Sequence, residues 1–308
     1  MKLFELIKHL KSEYIDSQKK NQKKILIKNL IKIIEIAIEK KFPLWDNQQI
    51  LTQNELIKCD KLSKMVFKYH FPIQYLESIV KFGEIQLYIN PYTLIPRPET
   101  EIITQEIFSS LTQNHNIGEK FNKIFLIDFG IGSGNIILSL VKKLQNYYKS
   151  LSIIPIGIDI SFNALLVAQK NSHLNNIDIN LINFSKIDII KKSLPSQSIQ
   201  ILISNPPYLT KKELKQELKF EPENALLTPK KTYFYNLLLN FLLQKQTSSF
   251  IAFFEIDKKA LEKIIRKLKK IKNKINYNTV YIQRKIFLLE ISNKHKKSIN
   301  FYSSYTYP

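Results

Sequence analysis

The chain has 308 residues, more than the roughly 100–200 of one ordinary domain, and this length predicts two domains. Hydrophobic residues make up 44% of it and charged residues 24%, which excludes wholesale disorder and a collagen-like fibre. A single cysteine, Cys59, excludes an internal disulfide and a cysteine-based zinc site, and it fits a reducing compartment.

The formal net charge of +21 would ordinarily indicate a polyanionic partner such as nucleic acid. Lys, Ile and Asn are abundant along the whole chain, however, while Gly falls to 6, so the charge follows overall composition. The densest basic cluster, residues 258–274, carries Leu261, Ile264 and Leu268 at helical spacing. It predicts an amphipathic helix with a solvated basic face in preference to a nucleic-acid groove.

No apolar run is long enough for a secretory signal or a membrane span, because Glu5 and Lys8 already interrupt the first one. We therefore expect a cytoplasmic protein with no membrane association. The five histidines do not have the spacing of metal ligands, and no metal is predicted.

The first 70 residues have apolar positions at helical spacing, including a long run from about Lys23 to Lys41. Residues 82–94, around IQLYIN, predict a hairpin or linker. From about Glu99 strand-like and helical runs alternate, which predicts an α/β fold with a mostly parallel sheet. The predicted domains are a helical domain (1–80), a β-hairpin linker (81–98), an α/β domain (99–292) and a basic tail (293–308).

Half of the chain's glycines lie in one loop, DFGIGSGN, between a predicted strand and a predicted helix. Gly130, Gly132 and Gly134 allow a sharp turn and let a ligand approach the backbone beside a helix N-terminus. The spacing is neither that of a dinucleotide fingerprint nor that of a P-loop. It resembles the cofactor loop of S-adenosylmethionine-dependent methyltransferases. Asp159, which ends the next strand, would then accept hydrogen bonds from the ribose hydroxyls; alone, it could equally cap a helix.

A second motif, Asn205-Pro206-Pro207-Tyr208, follows the predicted strand IQILIS. The prolines fix φ and remove two backbone donors, leaving carbonyls that only accept. The Asn205 side-chain oxygen and the Pro206 carbonyl could take both hydrogens of a planar NH₂ group, with Tyr208 on its flat face. Taken alone, the motif is also explained as a rigid loop leaving a sheet.

Together these motifs resemble the HemK/PrmC family of protein glutamine methyltransferases, bacterial enzymes that methylate the Gly-Gly-Gln motif of peptide chain release factors. The matching segments span roughly residues 64–291 and are PIQY (72–75), Phe82, LIPRPETE (94–101), DFGIGSGN (128–135), Asp159, AQKN (168–171), NPPY (205–208) and FEPENAL (220–226).

The resemblance implies a Rossmann-like class I S-adenosylmethionine-dependent methyltransferase sheet with a small N-terminal helical domain that docks the substrate. It implies that the substrate glutamine is held by Asn205, Pro206, Pro207 and Tyr208. The implied cofactor residues are Asp128, Gly130, Ile131, Gly132, Ser133, Gly134, Asp159, Asn183, Phe184 and Asn205. The implied wall of the substrate pocket is formed by Arg97, Pro98, Glu99 and Glu221; Arg97 by itself could equally form an ordinary surface ion pair.

The chain departs from the family pattern at three positions. Ile131 stands where Thr is usual, which would weaken a contact to the cofactor's carboxylate. Asn183 stands where Asp is common, which removes a charge but keeps an acceptor, and Asp257 stands where Gly is usual.

Two other enzymatic readings remain open. A nucleic-acid adenine methyltransferase also acts on a planar NH₂ and is favoured by the net charge, but PRPETE and the lack of a base-reading insertion argue against it. A sister branch methylates a glutamine of a ribosomal protein but carries a different element in place of PRPETE. A non-catalytic relative is a third possibility. We expect a monomer that needs a release factor and no direct nucleic acid.

Overall fold

The computed structural model describes residues 1–184, 198–244, 250–271, 275–283 and 286–293. The chain forms two compact units, residues 1–79 and 80–308. Most of the predicted basic tail, residues 294–308, lies outside the described residues. Within the described ranges, no helix combines the length and the apolar character needed to cross a lipid bilayer.

The first unit is helical, as the apolar spacing predicts. Its buried core includes Leu3, Leu6 and Leu10 of the first helix and Leu30 and Ile34 of the second. The second helix begins three residues earlier than predicted and ends at Ile38, where the next residue is left-handed. The α-helices are α1 (Leu3–Tyr14), α2 (Lys20–Ile38), α3 (Gln53–Ser63) and α4 (Ile73–Glu77).

The predicted hairpin is a two-stranded sheet of β1 (Ile79–Phe82) and β2 (Ile85–Tyr88), which begins two residues before the predicted linker (81–98). Helices and strands then alternate along the chain. The helices are α5 (Pro98–Ser109), α6 (Ile117–Lys120), α7 (Asn135–Tyr147), α8 (Phe162–Leu174), α9 (Glu223–Leu226), α10 (Tyr233–Gln244) and α11 (Lys258–Lys270). The strands are β3 (Lys123–Phe129), β4 (Ser152–Asp159), β5 (Asn180–Asn183), β6 (Ser198–Ser204), β7 (Phe250–Asp257), β8 (Ile275–Gln283) and β9 (Ile286–Asn293).

These seven strands form one sheet in the order β5-β4-β3-β6-β7-β9-β8. The first five strands are parallel, and β9 and β8 extend the sheet in antiparallel fashion. The predicted α/β class and mostly parallel sheet are therefore confirmed. The chain first adds β4 and β5 on one side of β3, and it then adds β6 and β7 on the opposite side of β3. Such a reversal opens a crevice at the carboxyl ends of the strands, where ligands of this architecture bind.

Residues 258–270 of the basic run form the predicted amphipathic helix, α11. Ala260, Leu261, Ile264 and Leu268 of α11 are buried in the main core, while its lysines lie on the other side. Residues 272–274 of the predicted run lie outside the described part of the chain. The apolar residues of α11 thus pack against the sheet.

Candidate active site

The glycine loop between β3 and α7 requires its glycines, because Gly130, Gly132 and Gly134 all have positive φ angles, of 74°, 54° and 80°. Its inner side is fixed, since the N–H groups of Gly130 and Ile131 donate to the carbonyl of Ile158 at 2.8 and 3.0 Å. Its outer side is open, since a Cβ built on Gly130 would meet no atom within 4 Å. A ligand could therefore lie directly against this backbone.

Asp159 lies at the end of β4 and contacts the glycine loop. Its Oδ2 accepts a hydrogen bond from the N–H of Gly132 at 3.0 Å, and its Oδ1 accepts from the N–H of Ser161 at 2.9 Å. Ser161, not Asp159, is the N-cap of α8, because its hydroxyl accepts from the N–H of Ala164. Burial raises the pKa of the Asp159 carboxyl, and the backbone donors partly offset that rise.

Asp128, the first residue of the loop motif, is almost fully buried. Among the described residues its Oδ1 has no hydrogen-bond partner. The carboxyl group as a whole accepts one backbone hydrogen bond, from Ile137. Burial, and then the nearby charge of Asp159, raise the pKa of Asp128 to about 8. A buried acceptor beside an open glycine loop fits a ligand that brings hydrogen-bond donors or positive charge, as S-adenosylmethionine does.

Two residues of the predicted adenine site lie at the end of β5: Asn183 is its last residue, and Phe184 follows it. Phe184 is 42% exposed, so part of its side chain is accessible. The Asn183 amide donates to the carbonyl of Ile160, the residue after Asp159, at 3.3 Å. Asn183 is therefore close to the segment that carries Asp159.

Ile131, the first departure from the family pattern, is directed into the protein. Its side chain is buried, and its Cδ1 occupies space next to Gly157 of β4. A Cβ built on Gly157 would lie 2.2 Å from that Cδ1 and 2.9 Å from Cδ2 of Leu181. The isoleucine thus fills the space above a strand glycine and fixes the underside of the loop.

We expect Gly157→Ala to lower the free energy of unfolding by about 1–2 kcal/mol, because the added methyl group overpacks this contact. Urea unfolding measures the change. Ile131→Val removes the clashing Cδ1, so the double variant should regain part of the loss. A Gly157→Ala protein as stable as wild type would contradict this packing.

The Asn205–Tyr208 motif is fixed at both ends. Before it, the hydroxyl of Ser204 on β6 donates to the carbonyl of Phe129 on β3 at 2.7 Å. After it, Leu209 exchanges backbone hydrogen bonds with Leu226 and Thr228 at 3.0 and 2.8 Å. The loop is therefore held rigidly at the carboxyl end of β6, next to the glycine loop that follows β3.

Within this motif the Asn205 side chain hydrogen-bonds the carboxylate of Glu255 on β7. Pro206 is buried, and Pro207 and Tyr208 are half-buried. Burial raises the pKa of Tyr208 above its ordinary value, with the charge of Glu255 as the next cause. Tyr208 therefore remains a neutral ring beside Asn205 at all physiological pH values.

The predicted pocket wall contains a partly buried ion pair. The Arg97 guanidinium contacts Oε1 of Glu221, whose side chain is only 2% exposed. The second carboxylate oxygen of Glu221 accepts from the backbone N–H of Ile95 at 3.0 Å. This pair ties the PRPETE segment to the chain that follows Asn205–Tyr208, so Arg97 does more than form an ordinary surface ion pair. Pro98 begins α5, and Glu99 is buried in its first turn.

Asp257, the third departure, is the N-cap of α11. Its Oδ1 accepts from the N–H groups of Lys259 and Ala260 at 2.8 and 3.1 Å. The carboxylate also lies 3.5 Å from the ammonium group of Lys231. The residue that replaces the usual glycine therefore has a structural role that its position in the sequence did not reveal.

We expect Asp257→Ala to lower the free energy of unfolding by about 1 kcal/mol, because the cap is lost. Asp257→Gly should cost only a few tenths of a kcal/mol through capping, since glycine is itself an acceptable N-cap. Thermal unfolding of the two variants side by side gives the comparison. Equal losses for alanine and glycine would show that the ion pair to Lys231 matters more than the cap.

Three residues near the site, Glu255, Thr100 and Asn171, are not among the predicted site residues. Glu255 is buried on β7 and contacts both Asn205 and Thr100, whose hydroxyl donates to it at 2.9 Å. The Asn171 amide donates to the carbonyls of Ser133 and Tyr88 at 2.8 and 2.9 Å, which joins the glycine loop to β2. A charged residue inside the apolar run FIAFFEI was a signal for Glu255.

Across the described ranges no cluster of three or more metal-ligating side chains occurs.

A family model described as "Methyltransferase small domain" matches residues 106–223. The release factor glutamine methyltransferase of Flavobacterium psychrophilum is 32% identical over 248 residues, which cover 79% of each chain. The enzyme of the same name from Dictyoglomus turgidum is 30% identical over 223 residues, covering 71% of this chain and 74% of that one.

Among solved structures, the hMettl16 catalytic domain in complex with MAT2A 3'UTR hairpin 1 superposes with a TM-score of 0.52. It is 14% identical in sequence and covers 79% of this chain and 81% of its own. At that identity the likeness shows a shared methyltransferase fold and nothing about the substrate.

Proposed function

This chain belongs to the release factor glutamine methyltransferase family, and we propose that its Asn205–Tyr208 loop holds the substrate glutamine. The enzyme transfers a methyl group from S-adenosylmethionine to a glutamine of a peptide chain release factor. Its substrate is therefore a protein. The narrower proposal is that this glutamine is the last residue of the Gly-Gly-Gln motif.

The glycine loop and the two carboxylates at the ends of β3 and β4 would hold the cofactor. The open outer face of Gly130 and Gly132 leaves room against the backbone, and Asp128 offers a buried acceptor. Asp159 would accept from the ribose hydroxyls, and the exposed ring of Phe184 would cover the adenine. When bound, S-adenosylmethionine supplies an electrophilic methyl group on a positively charged sulfur.

The protein's part in the reaction follows from the weakness of the nucleophile. An amide nitrogen is poorly nucleophilic because its lone pair is delocalised into the carbonyl. If the Asn205 oxygen and the Pro206 carbonyl accept the two amide hydrogens, electron density on the nitrogen rises and the direction of its lone pair is fixed. Placement of this kind can contribute several kcal/mol of barrier lowering.

One observation supports most strongly the proposal that Asn205 binds the substrate amide. The Asn205 side chain is held by Glu255 at the carboxyl end of β6, the strand next to the one that leads into the glycine loop. The substrate amide and the cofactor would therefore occupy neighbouring positions at the switch point of the sheet.

Three further points belong to the proposal: the helical unit docks the release factor, the enzyme acts as a monomer in the cytoplasm, and it needs no nucleic acid. The burial of the apolar face of α11 supports the last point, because the densest basic run serves as a solvated helix face. Binding that depended on phosphate contacts would weaken steeply with added salt.

The test is methyl transfer from labelled S-adenosylmethionine to three acceptors offered separately. These are a purified release factor, its Gln→Ala variant in the Gly-Gly-Gln motif, and double-stranded DNA. We expect label on the wild-type factor alone, at a rate that changes little with salt. Label on DNA, or equal label on the Gln→Ala factor, would refute the proposal.

A further inference from the structure

Glu255 is a buried carboxylate placed beside Asn205 by the register of the sheet. Strands β6 and β7 are parallel, and Ser204 pairs with Phe254. Asn205 and Glu255 are the residues that follow this pair, so they are neighbours as well. Glu255 is only 3% exposed, in a strand otherwise made of apolar residues up to Asp257.

The Glu255 residue is fixed by contacts from several elements. One oxygen, Oε2, accepts from the hydroxyl of Thr100 on α5 at 2.9 Å. The carboxylate also hydrogen-bonds the Asn205 side chain. The backbone carbonyl accepts from the hydroxyl of Tyr235 on α10 at 2.9 Å. Neither its backbone nor its side chain is therefore free to turn away from Asn205.

The hydrogen-bonding capacity of the Glu255 carboxylate determines how the side-chain amide of Asn205 is oriented. The two ends of an asparagine amide have nearly the same shape, and a half-turn about the last bond exchanges oxygen and nitrogen. An ionised carboxylate can only accept hydrogen bonds. Glu255 therefore bonds the NH₂ end of Asn205 and leaves the oxygen at the opposite end.

We propose that Glu255 is a positioning residue for methyl transfer, which selects the Asn205 orientation that offers an oxygen to the substrate NH₂. This inference rests on the proposed role of Asn205. In the opposite orientation an NH₂ group would face the NH₂ group of the substrate, and neither could accept. The carboxylate thus determines whether the loop recognises an amide or repels it.

The charge state of Glu255 depends on the groups that face it. Burial raises the pKa of Glu255 to about 7; the hydrogen bonds from Thr100 and Asn205 and the charge of Arg97 lower it, while the charge of Glu99 raises it. The rings of Tyr208 and Tyr235 also face this carboxylate, and both are neutral there because burial raises their pKa values.

This pKa gives activity and stability opposite dependences on pH. A protonated Glu255 can donate to the Asn205 oxygen and compete with the substrate, so turnover falls as the pH drops through about 7. The pKa is higher in the folded state than in the unfolded state. The contribution of this group to stability is therefore complete below its ordinary pKa and is lost as the pH rises through about 7.

The experiment is a double-mutant cycle of Glu255→Gln and Asn205→Ala, measured as turnover on release factor at saturating cofactor. Glutamine keeps the shape of Glu255 but can donate or accept, so it removes the orientation bias. We expect Glu255→Gln to lower kcat about 10-fold or more, with cofactor affinity and KM for the factor little changed. Glu262→Gln, an exposed change on α11, is the matched control.

The cycle separates the inference from the function on which it rests. If Glu255 acts through Asn205, Glu255→Gln has almost no further effect in the Asn205→Ala background. Independent losses that multiply, or wild-type turnover of Glu255→Gln, would overturn the inference. Wild-type turnover of Asn205→Ala would instead overturn the proposed function.

The pH profile is a second readout. The wild-type enzyme should lose kcat below about pH 7, and Glu255→Gln should lack that loss. If the variant does not fold, the wild-type profile still allows the inference to fail. A kcat that stays constant down to pH 5.5, about 1.5 units below that pKa, would overturn the inference.

Discussion

Asn205→Ala is expected to lower turnover on release factor about 10²–10³-fold at saturating cofactor, a loss comparable to removing one preorganised hydrogen-bonding group from an active site. The alanine removes the acceptor for one hydrogen of the substrate amide and leaves Glu255 facing a gap. Single-turnover rates with labelled cofactor give the measurement. Cofactor affinity, measured by calorimetry, should change far less than turnover.

The matched control for this change is Asn240→Ala, an exposed asparagine on α10 in the same unit. It should keep wild-type turnover and stability. An Asn205→Ala enzyme with normal turnover would remove Asn205 from the reaction. A loss confined to cofactor affinity would reassign Asn205 to the cofactor alone.

The second large effect is expected at Asp159, where alanine should weaken S-adenosylmethionine binding about 10–100-fold. Hydrogen bonds to a charged group contribute about 1.5–3 kcal/mol, and each 1.4 kcal/mol is tenfold in affinity. Asp159 also holds the N–H of Gly132, so the loop loses a contact in the free enzyme as well. Asp178→Ala, an exposed change in the same unit, is the control.

The pH dependence of cofactor binding gives a second test of Asp159. Burial raises the pKa of this carboxyl, and only the ionised form accepts hydrogen bonds with both oxygens. Affinity should therefore decrease as the pH falls through that raised pKa, and Asp159→Ala should show a weaker dependence. An alanine variant with wild-type affinity would contradict the ribose role.

The fold could be predicted because its signals are local. Alternating strand and helix patterns predicted the parallel sheet, and three glycines in one loop predicted a turn that the positive φ angles confirm. Helix α5 and strand β8 were not predicted. Helix α5 begins inside the PRPETE motif, and β8 is a polar edge strand paired with β9.

The site could be predicted only in part, because its supporting contacts join residues far apart in sequence. Thr100 and Glu255 are separated by 155 positions, and Ile95 and Glu221 by 126. No periodicity or spacing reveals such pairs. The orientation of Ile131 was also hidden, since the sequence showed a lost threonine but not the glycine of β4 whose empty side it fills.

The central claim is that this enzyme methylates the side-chain nitrogen of a release-factor glutamine held by Asn205. Tandem mass spectrometry of the factor after reaction tests it most directly, with wild-type enzyme and Asn205→Ala compared under the same conditions. The predicted result is one added methyl group on the side-chain nitrogen of the Gly-Gly-Gln glutamine, nearly absent with Asn205→Ala. A methyl group on any other residue, or equal methylation by both enzymes, would contradict it.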